Sequence, residues 1–186
     1  MSELNKTQLS KYNNKQYHPG KNVIIRTLWY FTNILFFINP LIPFSTLKII
    51  LLRIFDAKVG KGVNIKPSVN IKYPWKLKLG NFVWIGEKVW IDNLADVIIG
   101  ENCCISQGAT LLTGNHNFKK SGFDLLTGTI VLEDGVWLGA QSMITLNTKC
   151  FSHSMLTAGS VLSTDMEEYS IYRGNPAIKI KDRKIE

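Results

Sequence analysis

The sequence predicts an all-β solenoid, a fold in which short strands coil around one apolar core. Three observations indicate it: an aliphatic residue recurs at every sixth position, small residues often follow it, and the irregular spacings fall at one point of the repeat. The recurring positions are Val59, Ile65, Ile71, Leu79, Ile85, Ile91, Ile99, Ile105, Leu111, Leu132, Leu138, Ile144, Leu156 and Leu162. An α-helix would show spacings of three and four, and a hairpin meander would show turns every eight to twelve residues. Three hexads make one triangular coil, so the repeat predicts about five coils.

The position after the aliphatic residue is often small or turn-prone, as at Gly60, Gly80 and Gly86. Such residues suit a corner at which the backbone takes a positive φ angle. Four positions after most of the aliphatic residues stands a second apolar or small residue, such as Val63. We expect both positions to point into the core, with Cys150 as the one exception to the aliphatic rule.

The first residues of the first three coils, Val59, Leu79 and Ile99, lie twenty positions apart rather than eighteen. Two extra residues enter each time after the third hexad, as residues 77–78 and then 97–98. A longer insertion, residues 117–131, leaves from the same corner after the third coil. One edge of the prism is therefore predicted to carry all the departures from regularity, including a protruding loop.

The length of 186 residues and the apolar content of 45% predict one main domain with small appendages. The first twenty residues are mostly polar and show no apolar periodicity, so we expect them to form a flexible arm. The predicted organisation is an arm at 1–20, an apolar helical segment at 21–57, the solenoid at 58–168 with its loop at 117–131, and a C-terminal extension with a basic tail at 169–186.

Residues 23–55 are the most hydrophobic part of the chain. Pro40 and Pro43 interrupt them, which leaves two segments shorter than the roughly 20 apolar residues that a membrane-spanning helix needs. Two short helices are predicted instead. They pack against the end of the solenoid in one interpretation. In the other they form a hairpin at a membrane surface, with Arg26, Lys48 and Arg53 near the headgroups.

Composition excludes some functions and leaves others open. A formal net charge of +8 suits nucleic acid, an anionic membrane or a phosphorylated ligand, so charge alone does not choose. The chain lacks an aromatic and basic platform, so we expect no nucleic-acid partner. Cys103, Cys104 and Cys150 show no ligand spacing and predict neither a disulfide nor a metal site. No signal-peptide pattern opens the sequence, which predicts a cytoplasmic protein.

Six motifs, ordered along the chain, resemble those of the hexapeptide-repeat acyltransferases, and most resemble the colanic acid biosynthesis acetyltransferase branch. They are residues 90–96 (WIDNLAD), 105–109 (ISQGA), 113–116 (TGNH), 136–140 (VWLGA), 158–160 (AGS) and 174–177 (GNPA). The resemblance implies a left-handed parallel β-helix and a homotrimer with active sites between neighbouring chains. It also implies O-acetyl transfer from acetyl-coenzyme A (acetyl-CoA) to a hydroxyl, such as that of a sugar in exopolysaccharide biosynthesis.

His116 is the candidate general base. It stands five positions after Leu111, and since positions four and six point inward, the fifth points outward. It also precedes the long insertion, beneath a loop able to form a pocket. Spacing alone leaves a plain surface histidine equally open. The resemblance implies that the histidine after Thr113 and Gly114 takes the proton from the acceptor hydroxyl.

The resemblance also assigns groups to the acyl donor. It implies that the backbone N–H of Ala140 stabilises the oxyanion that forms on the thioester. Trp137 occupies the same outward fifth position as His116 and is expected to pack against coenzyme A. An ordinary surface aromatic residue is the alternative, as Trp84 and Trp90 illustrate.

The pantetheine arm and the phosphates of coenzyme A need small side chains and cations, respectively. The small residues expected along the pantetheine are Ala158, Gly159 and Ser160. Lys181 and Arg183 of the basic tail are expected near the phosphates. Relatives commonly carry Lys where this chain has Thr164, and Arg173 is a candidate replacement.

Asp92 and Asn93 are candidates to bind acceptor hydroxyls or to orient the base, with a hydrogen-bonded turn as the alternative. A γ-class carbonic anhydrase would share the fold, but the sequence has three histidines in all and no HxxxxH pair to hold zinc. A non-enzymatic scaffold would not need Trp137 together with residues 158–160 and 174–177. The acceptor also remains open to an antibiotic, serine or a free sugar.

Overall fold

A computed structural model describes residues 6–186. The helices are a 3₁₀-helix at Leu9–Lys11, α1 at Val23–Thr32, a π-helix at Asn33–Ile38, α2 at Ser45–Ile54 and a 3₁₀-helix at Pro74–Lys76. The strands are β1 (Lys58–Val59), β2 (Asn64–Ile65), β3 (Asn70–Ile71), β4 (Leu77–Leu79), β5 (Trp84–Ile85), β6 (Trp90–Asp92), β7 (Val97–Ile99), β8 (Cys104–Ile105), β9 (Thr110–Leu112), β10 (Gly114–His116), β11 (Leu125–Thr127), β12 (Ile130–Leu132), β13 (Trp137–Leu138), β14 (Met143–Ile144), β15 (Thr148–Cys150), β16 (Met155–Leu156), β17 (Val161–Leu162), β18 (Ser170–Gly174) and β19 (Ala177–Asp182).

Three sheets form the faces of a triangular prism. The first face has the order β1-β4-β7-β12-β15, the second β2-β5-β8-β13-β16-β18-β19, and the third β3-β6-β9-β14-β17. All neighbours within the faces are parallel except β18 and β19. Val59 pairs with Leu79 and Leu138 with Leu156, so aliphatic residues of successive coils stack directly on one another. The predicted solenoid of inward-facing hexads is confirmed.

The solenoid has five complete coils and two sides of a sixth. Met166 bridges to Cys150 on the first face, and β18 pairs with β16 on the second. The prediction of about five coils was therefore short by two sides. Met166 lies only four positions after Leu162, so the sixth coil begins outside the six-residue register, and its second side, β18, falls in the predicted C-terminal extension.

The corner glycines are small for a reason other than the predicted one. Positive φ angles occur three positions after the aliphatic residue, as at Gly108 and Gln141, and not one position after it. At Gly80, a Cβ atom would lie 2.7 Å from the carbonyl carbon of Gly100 in the next coil. Stacked corners approach too closely for a side chain there, so spacing between coils selects glycine.

The N-terminal helices close the end of the prism. Trp29, Phe37 and Leu52 are buried against the first coil, and burial of one such side chain stabilises the fold by roughly 1.5–3 kcal/mol. Trp29 Nε1 donates to the Ile71 carbonyl at 2.8 Å, which satisfies an acceptor on the open edge of the coil. The packing interpretation of residues 23–55 is confirmed. Among residues 6–186, no helix has the length and apolar character to cross a bilayer.

The described part of the arm, residues 6–20, is ordered against the protruding loop, although the sequence predicts a flexible arm. The Gln8 N–H donates to the Ser121 carbonyl at 2.8 Å. The Tyr17 hydroxyl donates to the Leu94 carbonyl at 3.1 Å. These partners lie more than seventy residues away in sequence, so no local pattern in the arm reveals them.

Candidate active site

The protruding loop is an antiparallel hairpin of β10 and β11, and it leaves the corner between the third and first faces. Thr113 anchors its base: the buried hydroxyl donates to the Asp92 carbonyl at 2.8 Å and accepts from the Ala95 N–H at 2.9 Å. At Gly114, a Cβ atom would lie 2.5 Å from Leu94 Cδ1. The Thr113 and Gly114 pair therefore fixes how the hairpin leaves the coil, and His116 ends its first strand.

Phe123 fixes the position of the His116 ring. His116 Nδ1 lies 2.8 Å from the Phe123 carbonyl oxygen, and the two rings stack with centroids 4.4 Å apart and planes 8° apart. A carbonyl oxygen only accepts, so Nδ1 carries a proton, and in the neutral imidazole Nε2 keeps its lone pair. His116 is thus held, half-buried, in the tautomer in which Nε2 is a base.

The arm adds a second aromatic contact. The Tyr12 ring lies 5.9 Å from the His116 ring, centroid to centroid, at an interplanar angle of 58°. Sequence analysis missed both Phe123 and Tyr12. Phe123 lies inside the insertion and Tyr12 in the arm, and neither segment follows the six-residue repeat that identifies positions elsewhere.

Ala140 lies at the corner between the second and third faces. Its carbonyl accepts from the Gly159 N–H at 2.9 Å, which ties two coils together. Its own N–H finds no acceptor within the part of the chain that the structure describes, and the same holds for Gln107 and Ala158 at the matching corner positions. The corner therefore presents a column of unpaired donors, a suitable arrangement for binding a negatively charged oxygen.

His116 and Ala140 lie at different corners. His116 projects from the corner that follows the third face, whereas Ala140 precedes that face, between β13 and β14. The full width of the third face separates the two corners. One chain does not bring the candidate base and the candidate oxyanion donor together.

Trp137 points outward from the second face and is 39% exposed. Its indole Nε1 donates to the Ser106 hydroxyl at 3.0 Å, which restrains the ring. Trp137 stands one coil above Cys104 and two above Trp84 in the same column. The ring therefore presents a fixed apolar surface near the corner that holds Ala140.

The three small residues predicted along the pantetheine differ in their exposure. Ala158 and Gly159 are exposed at the same corner as Ala140. Ser160 is buried, and its hydroxyl accepts from the Gly174 N–H at 3.0 Å. This corrects the prediction for the Ser160 side chain, which joins the C-terminal hairpin to the coil. The open surface belongs to Ala158 and Gly159.

The basic tail forms the outer strand of that hairpin. Lys181 pairs with Ile171, at the opposite end of β18 from Ser160. The Arg183 guanidinium donates to the Gly135 and His153 carbonyls, each at 3.0 Å, so it holds the tail to the far corner of the second face. Arg173 is exposed and directly precedes Gly174, whose N–H contacts Ser160. Arg173 is therefore closer in sequence to this contact than Lys181 and Arg183 are.

Asp92 and Asn93 have separate roles. Asn93 is 0% exposed, and its amide accepts from the Tyr73 N–H at 2.9 Å and donates to the Tyr73 carbonyl at 2.6 Å. This corrects the prediction that Asn93 binds the acceptor: the turn alternative holds. Asp92 is half-buried, pairs with Lys72 at 3.1 Å and lines a cavity of about 350 Å³ beside α1 and the third face.

Two further cavities flank the hairpin beneath the arm. They measure about 380 and 260 Å³, and Tyr17 and Leu125 line both of them. Leu125 is the register partner of His116 in the hairpin, so these cavities adjoin the strand that carries the base. Burial lowers the pKa of Lys76, whose ammonium group lines the larger cavity. Polar groups and three lysines thus line two spaces beside the hairpin, although His116 itself lines neither.

Comparisons with known proteins identify relatives of the chain in sequence and in fold. The chain is 31% identical over 169 residues to the putative colanic acid biosynthesis acetyltransferase WcaF of Escherichia coli, an alignment that covers 91% of this chain and 92% of WcaF. It is 25% identical over 136 residues to the galactoside O-acetyltransferase of Escherichia coli, over 71% of this chain and 66% of that one. A hexapeptide-repeat acetyltransferase of Vibrio cholerae, solved with acetyl-CoA, has a TM-score of 0.78 at 19% identity, over 87% of this chain and 88% of that one. No model of a known protein family matches the chain.

The parallel β-solenoid matches the fold of a hexapeptide-repeat acetyltransferase over most of both chains, and the predicted left-handed β-helix is confirmed. The similarity to WcaF spans nearly the whole of both sequences. The chain therefore belongs to the hexapeptide-repeat acetyltransferase family, in the branch of the colanic acid biosynthesis acetyltransferases, and it is an enzyme.

Proposed function

We propose that the protein is an O-acetyltransferase that moves the acetyl group of acetyl-CoA to a sugar hydroxyl in surface polysaccharide or exopolysaccharide biosynthesis. The similarity to WcaF supports a role in polysaccharide biosynthesis. The complexes of structural relatives with acetyl-CoA or coenzyme A support acetyl-CoA as the acetyl donor. A cytoplasmic enzyme is proposed, since acetyl-CoA is a cytoplasmic metabolite.

The observation that carries the proposal is the carbonyl of Phe123 on His116 Nδ1, because in the neutral imidazole it places the proton on Nδ1 and the lone pair on Nε2. In the proposed reaction, Nε2 takes the proton as the acceptor oxygen attacks the thioester carbonyl. A carbon–oxygen bond forms, and the carbon–sulfur bond then breaks. His116 returns the proton to the departing thiolate, which gives free coenzyme A and the O-acetyl sugar.

The unpaired N–H of Ala140 is the proposed donor to the oxyanion of the tetrahedral intermediate. Pantetheine would lie over the exposed Ala158 and Gly159, with Trp137 alongside. For the phosphates we keep Lys181 and Arg183 as candidates and add Arg173, which has no carbonyl contact like those of Arg183 among the described residues.

A homotrimer is part of the proposal. The base and the oxyanion donor lie on either side of the third face, so a complete site needs His116 from one chain and Ala140 from another. A closed ring of three prisms meets that requirement at every interface, because each interface uses the same two surfaces. Light scattering that shows a monomer at micromolar concentration would contradict this assembly.

The acceptor is proposed to bind in the space beside the hairpin, near Asp92 or beneath the arm. The cavities there have the volume of a small ligand site and are lined by hydroxyl, amide and charged groups, which suits a polyol. Coenzyme A release should be assayed against sugars, nucleotide sugars, serine and an antibiotic acceptor. Preference for a non-carbohydrate acceptor would overturn the sugar assignment.

The mechanism is tested by His116→Ala. Loss of a positioned general base typically costs about 100-fold to 10,000-fold in rate. Acetyl-CoA affinity and thermal stability should barely change, because His116 is outside the core and is not among the residues proposed to hold pantetheine or the phosphates. His153→Asn, which changes a histidine at the corner between the first and second faces, is the matched control. Turnover of His116→Ala within a few-fold of the parent would remove the histidine from the mechanism.

A further inference from the structure

The closing helices carry an apolar surface that the fold does not use. Apolar residues follow α1 and the π-helix at spacings of four and three and continue into the turn before α2. This surface, the cap face, consists of Ile24, Leu28, Phe31, Leu35, Ile38, Leu41 and Phe44. Exposure reaches 66% at Ile24, 64% at Phe44 and 81% at Leu41. We propose that the cap face docks the protein end-on against a bilayer of anionic lipids.

The cap face is separate from the packing face of the same helices. Trp29, Asn33 and Phe37 are buried at spacings of four, and they make the contacts with the first coil. A helix that only covers the end of a solenoid needs one apolar stripe, with polar residues outside. Here the outer stripe is apolar as well, and so large a contiguous apolar patch marks an interaction surface.

Charge identifies the partner. Residues 21–80, which form the closing helices, the first coil and the start of the second, contain ten Lys and Arg against one acidic residue, whereas residues 81–186 contain nine against 12. Within residues 21–186, the excess of positive charge thus lies toward the end of the prism that bears the cap face. Lys58, Lys61 and Lys66 of the first coil are exposed there. An apolar surface bordered by lysines is complementary to anionic headgroups above acyl chains.

The contact would be peripheral, because the helices are fixed to the solenoid. Lys48, 0% exposed, donates from Nζ to the Lys66 carbonyl at 2.8 Å, and Arg53 donates to the Val59 carbonyl at 2.8 Å. The hairpin that carries His116 leaves the third coil, which is two coils above the first. Neighbouring coils are separated by one interstrand spacing, roughly 4.8 Å. End-on docking would hold the proposed active site about 10 Å from the coil nearest the lipid, within reach of a membrane-linked acceptor. The docking proposal itself does not depend on the transfer reaction.

The test is co-sedimentation of the full chain with vesicles of phosphatidylcholine alone or with about one third phosphatidylglycerol. We expect at least about tenfold stronger binding to the anionic vesicles and weaker binding at high salt. The triple variant Leu28→Ser, Phe31→Ser, Leu35→Ser should lose this binding and remain folded, since all three side chains are exposed. The matched control changes three exposed isoleucines far from the cap: Ile178→Ser, Ile180→Ser and Ile185→Ser.

Three results would overturn the proposal. The parent chain fails to bind anionic vesicles, or the cap-face variant binds them as well as the control does. In the third, sedimentation velocity shows that the cap-face variant forms a smaller oligomer than the parent, while neither chain binds vesicles. That outcome would assign the cap face to contact between copies of the chain.

Discussion

Phe123 holds His116 through two different groups, the backbone carbonyl on Nδ1 at 2.8 Å and the phenyl ring stacked at 4.4 Å. The carbonyl sets the tautomer, and the ring restricts rotation of the imidazole. Both come from one residue at the end of the hairpin turn. The turn therefore orients the proposed base, so its effect on the base can be tested without changing the histidine.

Phe123→Ala should lower kcat about tenfold and leave the KM for acetyl-CoA unchanged. The backbone carbonyl remains, so the tautomer is kept, while the ring of His116 gains freedom to leave its productive position. Steady-state kinetics with both substrates varied would measure the effect. Phe118→Ala removes an exposed phenyl ring from the same loop and should be neutral. Equal losses in the two variants would mean that general loosening of the loop, not His116, is responsible.

The sequence predicted the positions that follow the local repeat and missed those set by distant contacts. Ile65 and Leu111 could be placed because burial repeats every six residues, and the stacking of successive coils preserves that register. Tyr12 reaches His116 from more than a hundred residues away, through an arm and a loop that have no period. Neither hydropathy nor spacing marks such a contact.

Side-chain exposure at turns was the second limit of sequence reasoning. Asp92 and Asn93 look alike as turn residues, yet Asn93 is buried in bonds to Tyr73 while Asp92 borders a cavity. Gly80 was correctly predicted at a corner, for the wrong reason, because the clash that excludes a side chain comes from the next coil. Spacing along one coil does not show what the adjacent coil contacts.

Trp137→Ala should weaken acetyl-CoA binding about tenfold, which corresponds to roughly 1.4 kcal/mol, with a smaller effect on kcat at saturating donor. The reason is loss of the fixed indole surface beside Ala140 and Ala158. Calorimetric titration would measure it. Trp84→Ala removes an exposed indole from the same column two coils away. If both variants bind acetyl-CoA as the parent does, Trp137 is an ordinary surface residue.

Lys48 should make stability depend on pH in the alkaline range. Burial lowers the pKa of Lys48 to about 8, from an ordinary 10.5. Below pH 8 the amine is charged in the folded and unfolded chains, so folding bears the full penalty of burying it. Between pH 8 and 10.5 the unfolded chain binds more protons, so stability rises with pH.

Lys48→Met removes that titration. The free energy of unfolding of the parent, measured relative to Lys48→Met, should therefore increase from pH 8 to 10.5 by up to about 3 kcal/mol. Denaturant unfolding at several pH values would show the change. Lys61→Met, at an exposed lysine of the first coil, should follow the parent closely. Parallel curves for the parent and Lys48→Met would show that the Lys48 pKa is not depressed.

The separation of His116 from Ala140 predicts that two inactive variants will complement each other. His116→Ala removes the base, and Ala140→Pro removes the N–H donor. In a homotrimer whose sites combine His116 of one chain with Ala140 of the next, random mixing of equal amounts gives an intact pair at about one quarter of the interfaces. The two variants should be co-expressed with different tags, and mixed trimers should be isolated by sequential affinity steps. Each variant alone should be inactive, and the mixed trimers should recover activity.

Ala158→Trp, which would block the exposed surface proposed for pantetheine, replaces Ala140→Pro if proline disturbs the corner. Mixed trimers with no more activity than either parent variant would place both groups of each site in a single chain, contrary to their positions on opposite sides of the third face.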